Sequence, residues 1–223
     1  MRKMKPVDLR LNAIIDPERA GGHDLVVLAR RVVAGGATLV QLRDKRSDTR
    51  VMVETARAIK AALAGSGVPF VVNDRVDVAL AAAADGVHLG PEDMAVDDAR
   101  RLLGTNAIIG TSIKSVETAE AAPVELIDYA GIGGVYATLS KQQKGTPIGP
   151  DGFTRIAAAL HHRAPALPVC GIAGIDAGNA GAVIGAGADG VAVISALSLV
   201  PDPAAAAATL REIVDAMLAK RGT

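Results

Sequence analysis

Cations and carboxylates at a few short motifs in this chain could act together on phosphorylated molecules. Arg43 and Lys45 lie in Gln41-Leu42-Arg43-Asp44-Lys45, Asp74 follows Asn73, Asp93 ends Gly90-Pro91-Glu92-Asp93, and Lys141 ends Thr138-Leu139-Ser140-Lys141. Opposite charges share one pocket when a hard ion such as Mg²⁺ bridges the carboxylates to phosphate oxygens. Either aspartate alone would read as a helix cap or a surface ion pair. Beside Asn73, Arg43 and Lys45, the ion-binding reading is preferred.

A separate phosphate signal comes from Gly171-Ile172-Ala173-Gly174 and Ile194-Ser195. Gly174 lets the backbone approach an anion closely, and the N–H groups around Ser195 can donate to it. One glycine-rich loop is explained equally well by a tight turn, whereas two such loops together favour phosphate. His88 reads as a satisfied core histidine, with a supporting role behind the reacting groups as the alternative. Cys170 reads as a packed strand residue, since no base or redox partner neighbours it. The segment from Lys141 to Gly149, with Gly145 and Pro147, reads as a mobile lid over the site, with a long surface loop as the alternative.

The elements that must position these groups alternate along the chain. Strand candidates are Leu11–Ile15, Thr38–Leu42, Phe70–Val72, Val87–Leu89, Ile108–Ile109, Leu126–Ile127, Val169 and Val191–Ile194. Between them run apolar positions at helical spacing, such as Met52, Ala56, Ile59 and Leu63, or Val96, Ala99 and Leu103. The last helix has an evident start, with Asp202 as N-cap and Pro203 in the first turn. With 223 residues, each of eight strand-and-helix units has about 28, which fits a compact (β/α)8 TIM barrel filling residues 1–223 as a single domain. A doubly wound open sheet would use fewer strands, and no strand is followed by the Gly-x-Gly-x-x-Gly turn. In such a barrel the site lies at the C-terminal strand ends, which is where the polar motifs fall.

A weak internal repeat supports closure. Ala37-Thr38-Leu39-Val40-Gln41, Ala84-Asp85-Gly86-Val87-His88, Ile127-Asp128-Tyr129-Ala130-Gly131 and Ala188-Asp189-Gly190-Val191-Ala192 align at the starts of the even strands. Gln41, His88, Gly131 and Ala192 should therefore share one interior layer, with Arg43 directed toward the mouth and Leu42 toward the helices.

Composition narrows the function classes. Lys+Arg and Asp+Glu both number 24, Trp is absent, and only Phe70, Tyr129, Tyr136 and Phe153 are aromatic, which argues against a nucleic-acid surface. Apolar runs fall short of the roughly 20 residues that cross a bilayer, and the basic start is not followed by a convincing export signal. The single Cys170 excludes an internal disulfide. A cytoplasmic enzyme or binding protein, without nucleic-acid or membrane partners, is expected.

Gln41-Leu42-Arg43-Asp44-Lys45, Val72-Asn73-Asp74, Gly86-Val87-His88-Leu89-Gly90-Pro91-Glu92-Asp93, Thr138-Leu139-Ser140-Lys141 and Gly187-Ala188-Asp189-Gly190-Val191 together resemble the thiamine phosphate synthase family. The likeness runs over nearly the whole chain. It implies a (β/α)8 barrel that joins a hydroxymethylpyrimidine diphosphate to a thiazole phosphate with Mg²⁺, and a homo-oligomer. By position, it assigns Gln41, Arg43, Asp44, Lys45, Asn73, Ser112 and Lys141 to the pyrimidine diphosphate and Asp74 and Asp93 to Mg²⁺. Thr138, Ser140, Gly174, Ile194 and Ser195 fall to the thiazole phosphate. The chain departs from the pattern at Ile113-Lys114, where Thr-His is frequent, at Gly134 and Ala137, where proline is frequent, and at Ser140, where Thr is common. A thiazole tautomerase on the same barrel, or a phosphate sensor, is the competing reading; neither requires the paired Asp74 and Asp93.

Overall fold

The computed structural model describes residues 7–138, 140 and 145–222. Strands and helices alternate: β1 (Leu11–Ile15), α1 (Leu25–Ala34), β2 (Leu39–Leu42), α2 (Thr49–Ala62), β3 (Phe70–Asn73), α3 (Val76–Ala81), β4 (Gly86–Leu89), α4 (Val96–Leu103), β5 (Ile108–Ile113), α5 (Val116–Glu120), β6 (Tyr129–Gly133), α6 (Gly149–Arg163), β7 (Val169–Ile172), α7 (Ala180–Gly185), β8 (Gly190–Val193), α8 (Ser195–Ser198) and α9 (Pro203–Arg221). The strands pair in parallel, each with the next, and β8 returns to β1, closing the barrel.

The internal repeat has a structural cause. In each copy the second residue grips one residue of the preceding strand at two points. Thr38 N–H donates to the Leu11 carbonyl at 2.8 Å while its Oγ1 accepts from Leu11 N–H at 3.0 Å. Asp85 does the same to Phe70 (2.8 and 2.7 Å), Asp128 to Ile109 (2.7 and 2.9 Å) and Asp189 to Val169 (2.8 and 2.9 Å). Each aspartate is also held by a cation: Lys60 at 2.6 Å, Arg100 at 2.8 Å and Arg221 at 2.7 Å respectively. Asp128 is fully buried, and Arg100 in addition donates to the carbonyls of Leu126, Gly104 and Ala107, so the guanidinium loses little by leaving water.

Strand alternation then divides the side chains between two cores. Leu42, Val72, Val87, Ile109 and Val191 join the layer between sheet and helices, whereas Leu39, Val71, Ile108, Tyr129 and Cys170 fill the barrel interior. Gly110 is the enabling residue there, because a Cβ on it would lie 2.0 Å from the Tyr129 ring. The helix starts follow their sequences: Asp202 Oδ1 accepts from Ala204 and Ala205 N–H at 3.0 and 3.1 Å, with Pro203 in the first turn of α9. The face of α2 read from spacing buries Met52, Ala56 and Ile59.

Some strand boundaries differ from the sequence reading. Leu126–Ile127 precedes β6, which runs over Tyr129–Gly133, and β5 continues through Thr111, Ser112 and Ile113. Two glycines in Tyr129-Ala130-Gly131-Ile132-Gly133 weaken its intrinsic strand signal, and pairing with β5 and β7 overrides that deficit. Among the described residues no helix is long and apolar enough to cross a membrane.

Removing a buried partner leaves its counter-charge stranded, so Asp128→Ala should cost about 3–5 kcal/mol of unfolding free energy. Thr38→Val, which deletes a neutral clamp, should cost about 1 kcal/mol. Urea denaturation midpoints of the two variants measure the contrast, and equal losses would contradict it.

Candidate active site

A single cavity of about 680 Å³, counting its open mouth, occupies the C-terminal end of the barrel. Gln41, Arg43, Asn73, His88 and Ser112 line it from the β2–β5 side. Thr138, Ser140, Gly174, Ile194 and Ser195 line it from the β6–β8 side. Arg43, of the residues read as one anion site, thus faces those read as the other across a common space, whereas Lys45, Asp74 and Asp93 do not line it.

His88 points into the barrel and not toward the helices. Its Nδ1 lies 3.0 Å from the Tyr129 hydroxyl and its Nε2 3.0 Å from Ser112 Oγ, with the two rings 5.5 Å apart. Gly131, its counterpart in the repeat, leaves the space the imidazole fills: a Cβ there would be 3.2 Å from His88 Cε1. Gln41, 2% exposed, approaches the same Tyr129 hydroxyl and partly offsets the effect of burial on it. His88 is therefore a satisfied interior histidine that also fixes the direction of the Ser112 hydroxyl.

At the rim, Arg43 forms an ion pair with Asp16, which follows β1 and is 1% exposed. Lys45 pairs with Asp74. Asp74, at φ 65, occupies the left-handed region that aspartate and asparagine tolerate better than most residues. Asp93 folds back so that its Oδ2 accepts from Gly90 N–H at 2.6 Å, and its carboxyl meets that of Asp74. Burial, reinforced by Asp93 and opposed by Lys45, pushes the Asp74 carboxyl up to about 6. Two abutting carboxylates, one of them reluctant to ionise, form a donor set suited to a hard divalent cation that also takes phosphate oxygens.

Asp44 is turned elsewhere. Its Oδ1 accepts from the N–H groups of Arg46 and Ser47 at 3.0 and 2.9 Å, shaping the loop between β2 and α2. Burial works against its charge, but these bonds hold the carboxyl below the usual range. It does not line the cavity, and its contribution is to the backbone that carries Arg43 and Lys45. Lys141 and the first part of the expected lid lie outside the described residues.

Opposite, Ser140 Oγ donates to Ser195 Oγ at 3.3 Å, and Thr138 Oγ1 accepts from Ser140 N–H at 3.1 Å. Gly174, at φ 67, packs so tightly that a Cβ would come within 2.4 Å of the Ala137 carbonyl. Close packing of two loops is thus a second reason for this glycine, beside anion approach. Cys170 is wholly buried, and burial pushes its thiol up to about 12, which leaves it unreactive at neutral pH.

Two polar residues of the cavity region escaped the sequence reading. Asp16 was visible as the polar end of β1, directly following its strand as Asp74 follows β3. Asn12 lines the cavity at an inward position of β1, and a polar residue alternating with Ile14 was its signal.

Residues 11–197 match the family described as Thiamine monophosphate synthase. The chain belongs to the thiamine monophosphate synthase family. It is 50% identical over 218 residues to the thiamine-phosphate synthase of Agrobacterium fabrum, covering 98% of this chain and 99% of that one. The Moorella thermoacetica thiamine-phosphate synthase is 46% identical over 204 residues, covering 92% and 95% of the two chains. Among solved structures, a thiamine phosphate pyrophosphorylase from Pyrococcus furiosus superposes with a TM-score of 0.82 at 38% identity, covering 95% of this chain and 98% of that one. Membership in the thiamine monophosphate synthase family makes this barrel a transferase of thiamine biosynthesis.

The raised Asp74 carboxyl has a sign that can be checked without substrates. The folded protein retains this proton up to about pH 6, whereas the unfolded chain releases it near 3.8. Its stabilising contribution is therefore present below the unfolded value and lost as pH rises through the folded one. Asp74→Asn, compatible with the same backbone, should melt higher than wild type at neutral pH and lack the decline between about pH 4 and 7. A decline of the same size in both proteins would show that Asp74 does not cause it.

Proposed function

We propose that the two-sided cavity joins 4-amino-2-methyl-5-hydroxymethylpyrimidine diphosphate to a thiazole phosphate, either the carboxythiazole or the hydroxyethylthiazole form, to give thiamine phosphate and diphosphate. The observation that carries this reading is the opposition of two anion-directed groups across one space. Arg43, with Lys45, Asp74 and Asp93 beyond it, stands on one side, and the paired hydroxyls of Ser140 and Ser195 stand on the other.

In the reaction, the bond between the pyrimidine methylene carbon and the diphosphate oxygen breaks, and its electron pair leaves with the diphosphate. The thiazole nitrogen lone pair forms the new carbon–nitrogen bond. The aminopyrimidine is electron-rich enough to support a dissociative path through a pyrimidine cation. Leaving-group charge is the main demand, and preorganised cations in a closed site meet it with several kcal/mol. Arg43 and Lys45 supply fixed positive charge. Asp74 and Asp93 would hold Mg²⁺, which when bound neutralises phosphate oxygens. Ser112, oriented by His88, donates to the diphosphate, and the amides of Gln41 and Asn73 flank the ring. Thr138, Ser140, Gly174, Ile194 and Ser195 hold the thiazole phosphate, so that its nitrogen approaches from across the cavity. By the family resemblance Lys141 adds a further cation, under a lid that keeps water from the cation intermediate.

A cytoplasmic setting belongs to this reading, as expected of a biosynthetic enzyme. A homo-oligomer is part of the same reading, although the walls described above come from one chain.

Both substrates are mixed with Mg²⁺ and diphosphate release is followed. Release that requires both substrates supports the synthase. Isomerisation of a thiazole without release would favour a tautomerase, and binding without turnover a sensor. Asp93→Asn keeps an acceptor for Gly90 N–H but removes the charge, and should lower kcat by about a hundredfold or more while melting within a few degrees of wild type. Near-normal kcat would remove Asp93 from the site.

A further inference from the structure

One polar group at the floor of the cavity is left over. Asn12 is 1% exposed, lines the cavity, and its Oδ1 has no hydrogen-bond partner among the described residues. An acceptor in that position has lost water without a replacement, a state that folded proteins largely avoid. Register explains why the neighbouring strands do not supply a donor: Asn12 stands beside Leu39 on β2 and Ala192 on β8, whose side chains have none. Of the other polar groups of this layer, Gln41 approaches Tyr129, and His88 is engaged with Tyr129 and Ser112.

The substrates differ in what they can offer. A thiazole phosphate presents a ring nitrogen, a sulfur and phosphate oxygens, and the diphosphate presents only oxygens; none of these carries an N–H. The aminopyrimidine has an exocyclic amino group with two. We propose that Asn12 is a specificity-determining residue whose Oδ1 accepts a hydrogen bond from the exocyclic amino group of the pyrimidine. This rests on the synthase reading above. Depth agrees with it: Asn12 lies one inward position below Ile14, while Arg43 and Asp16 meet past the ends of β2 and β1. A ring that enters first therefore leaves its diphosphate at the cationic rim.

Asn12→Leu and Asn12→Ala are assayed as synthases with each substrate varied in turn, and melted without ligand. The KM for pyrimidine diphosphate should rise about tenfold or more, with that for thiazole phosphate within about twofold of wild type. Asn12→Leu should melt no lower than wild type, because it deletes an unsatisfied polar atom. Calorimetry with pyrimidine diphosphate lacking the 4-amino group supplies a readout independent of turnover. Wild type should bind this analogue about tenfold more weakly than the parent, whereas Asn12→Leu should bind the two alike. An unchanged pyrimidine KM in both variants, or equal rises for both substrates, overturns the assignment. In that case product formation by wild type keeps the synthase reading; absence of product from wild type removes both.

Discussion

The two-point grip of Thr38, Asp85, Asp128 and Asp189 on the strand before each of them is the constraint from which the active end of the barrel follows. A parallel strand can slip along its neighbour, and a slip of one residue sends every side chain to the opposite face. A residue that bonds both the N–H and the carbonyl of one partner forbids that slip. The residue three places on is then fixed on the inside: Gln41, His88, Gly131 and Ala192. Positions of chemical interest are therefore set from the opposite end of the strand, by groups that never approach a substrate.

The grips also explain why such different residue types share one layer. Gly131 vacates the space His88 occupies, Gly110 admits Tyr129, and the Tyr129 hydroxyl holds His88. What remains above this layer is a cavity with polar walls of two kinds. One side offers the Arg43 guanidinium, with Lys45, Asp74 and Asp93 at the rim beyond it, and the other offers hydroxyls and close-packed backbone. The proposed reaction, in which one substrate loses an anion and the other is anchored by a phosphate, would use this asymmetry. Asn12, unsatisfied until something binds, gives the floor a preference as well.

The barrel and most of the mouth were legible in the sequence because strand alternation and the rule that sites lie at C-terminal strand ends both act locally. Gln41, Arg43, Asn73, Ser112, Thr138, Ser140, Gly174, Ile194 and Ser195 all line the cavity for that reason. Where a residue's role depends on what it meets across the fold, the reading was incomplete. Asp85, Asp128 and Asp189 were visible as a repeat, but not as clamps, since their partners lie in other strands. Asp44 sits between Arg43 and Lys45 in sequence, yet its carboxylate serves the loop. β6 was placed too early because Gly131, needed to make room for His88, and Gly133, packed against the Ile172 carbonyl, weaken the very pattern that marks a strand.

A crystal structure with Mg²⁺ and a pyrimidine diphosphate analogue whose bridging oxygen is replaced by methylene would test the central claim, that register delivers one two-sided active site. The diphosphate is expected beside Arg43 and Lys45, with a metal ion between it and Asp74 and Asp93, and the ring below it against the layer of Gln41 and His88. A diphosphate seated instead among Gly174, Ser140 and Ser195, or outside the mouth, would contradict it.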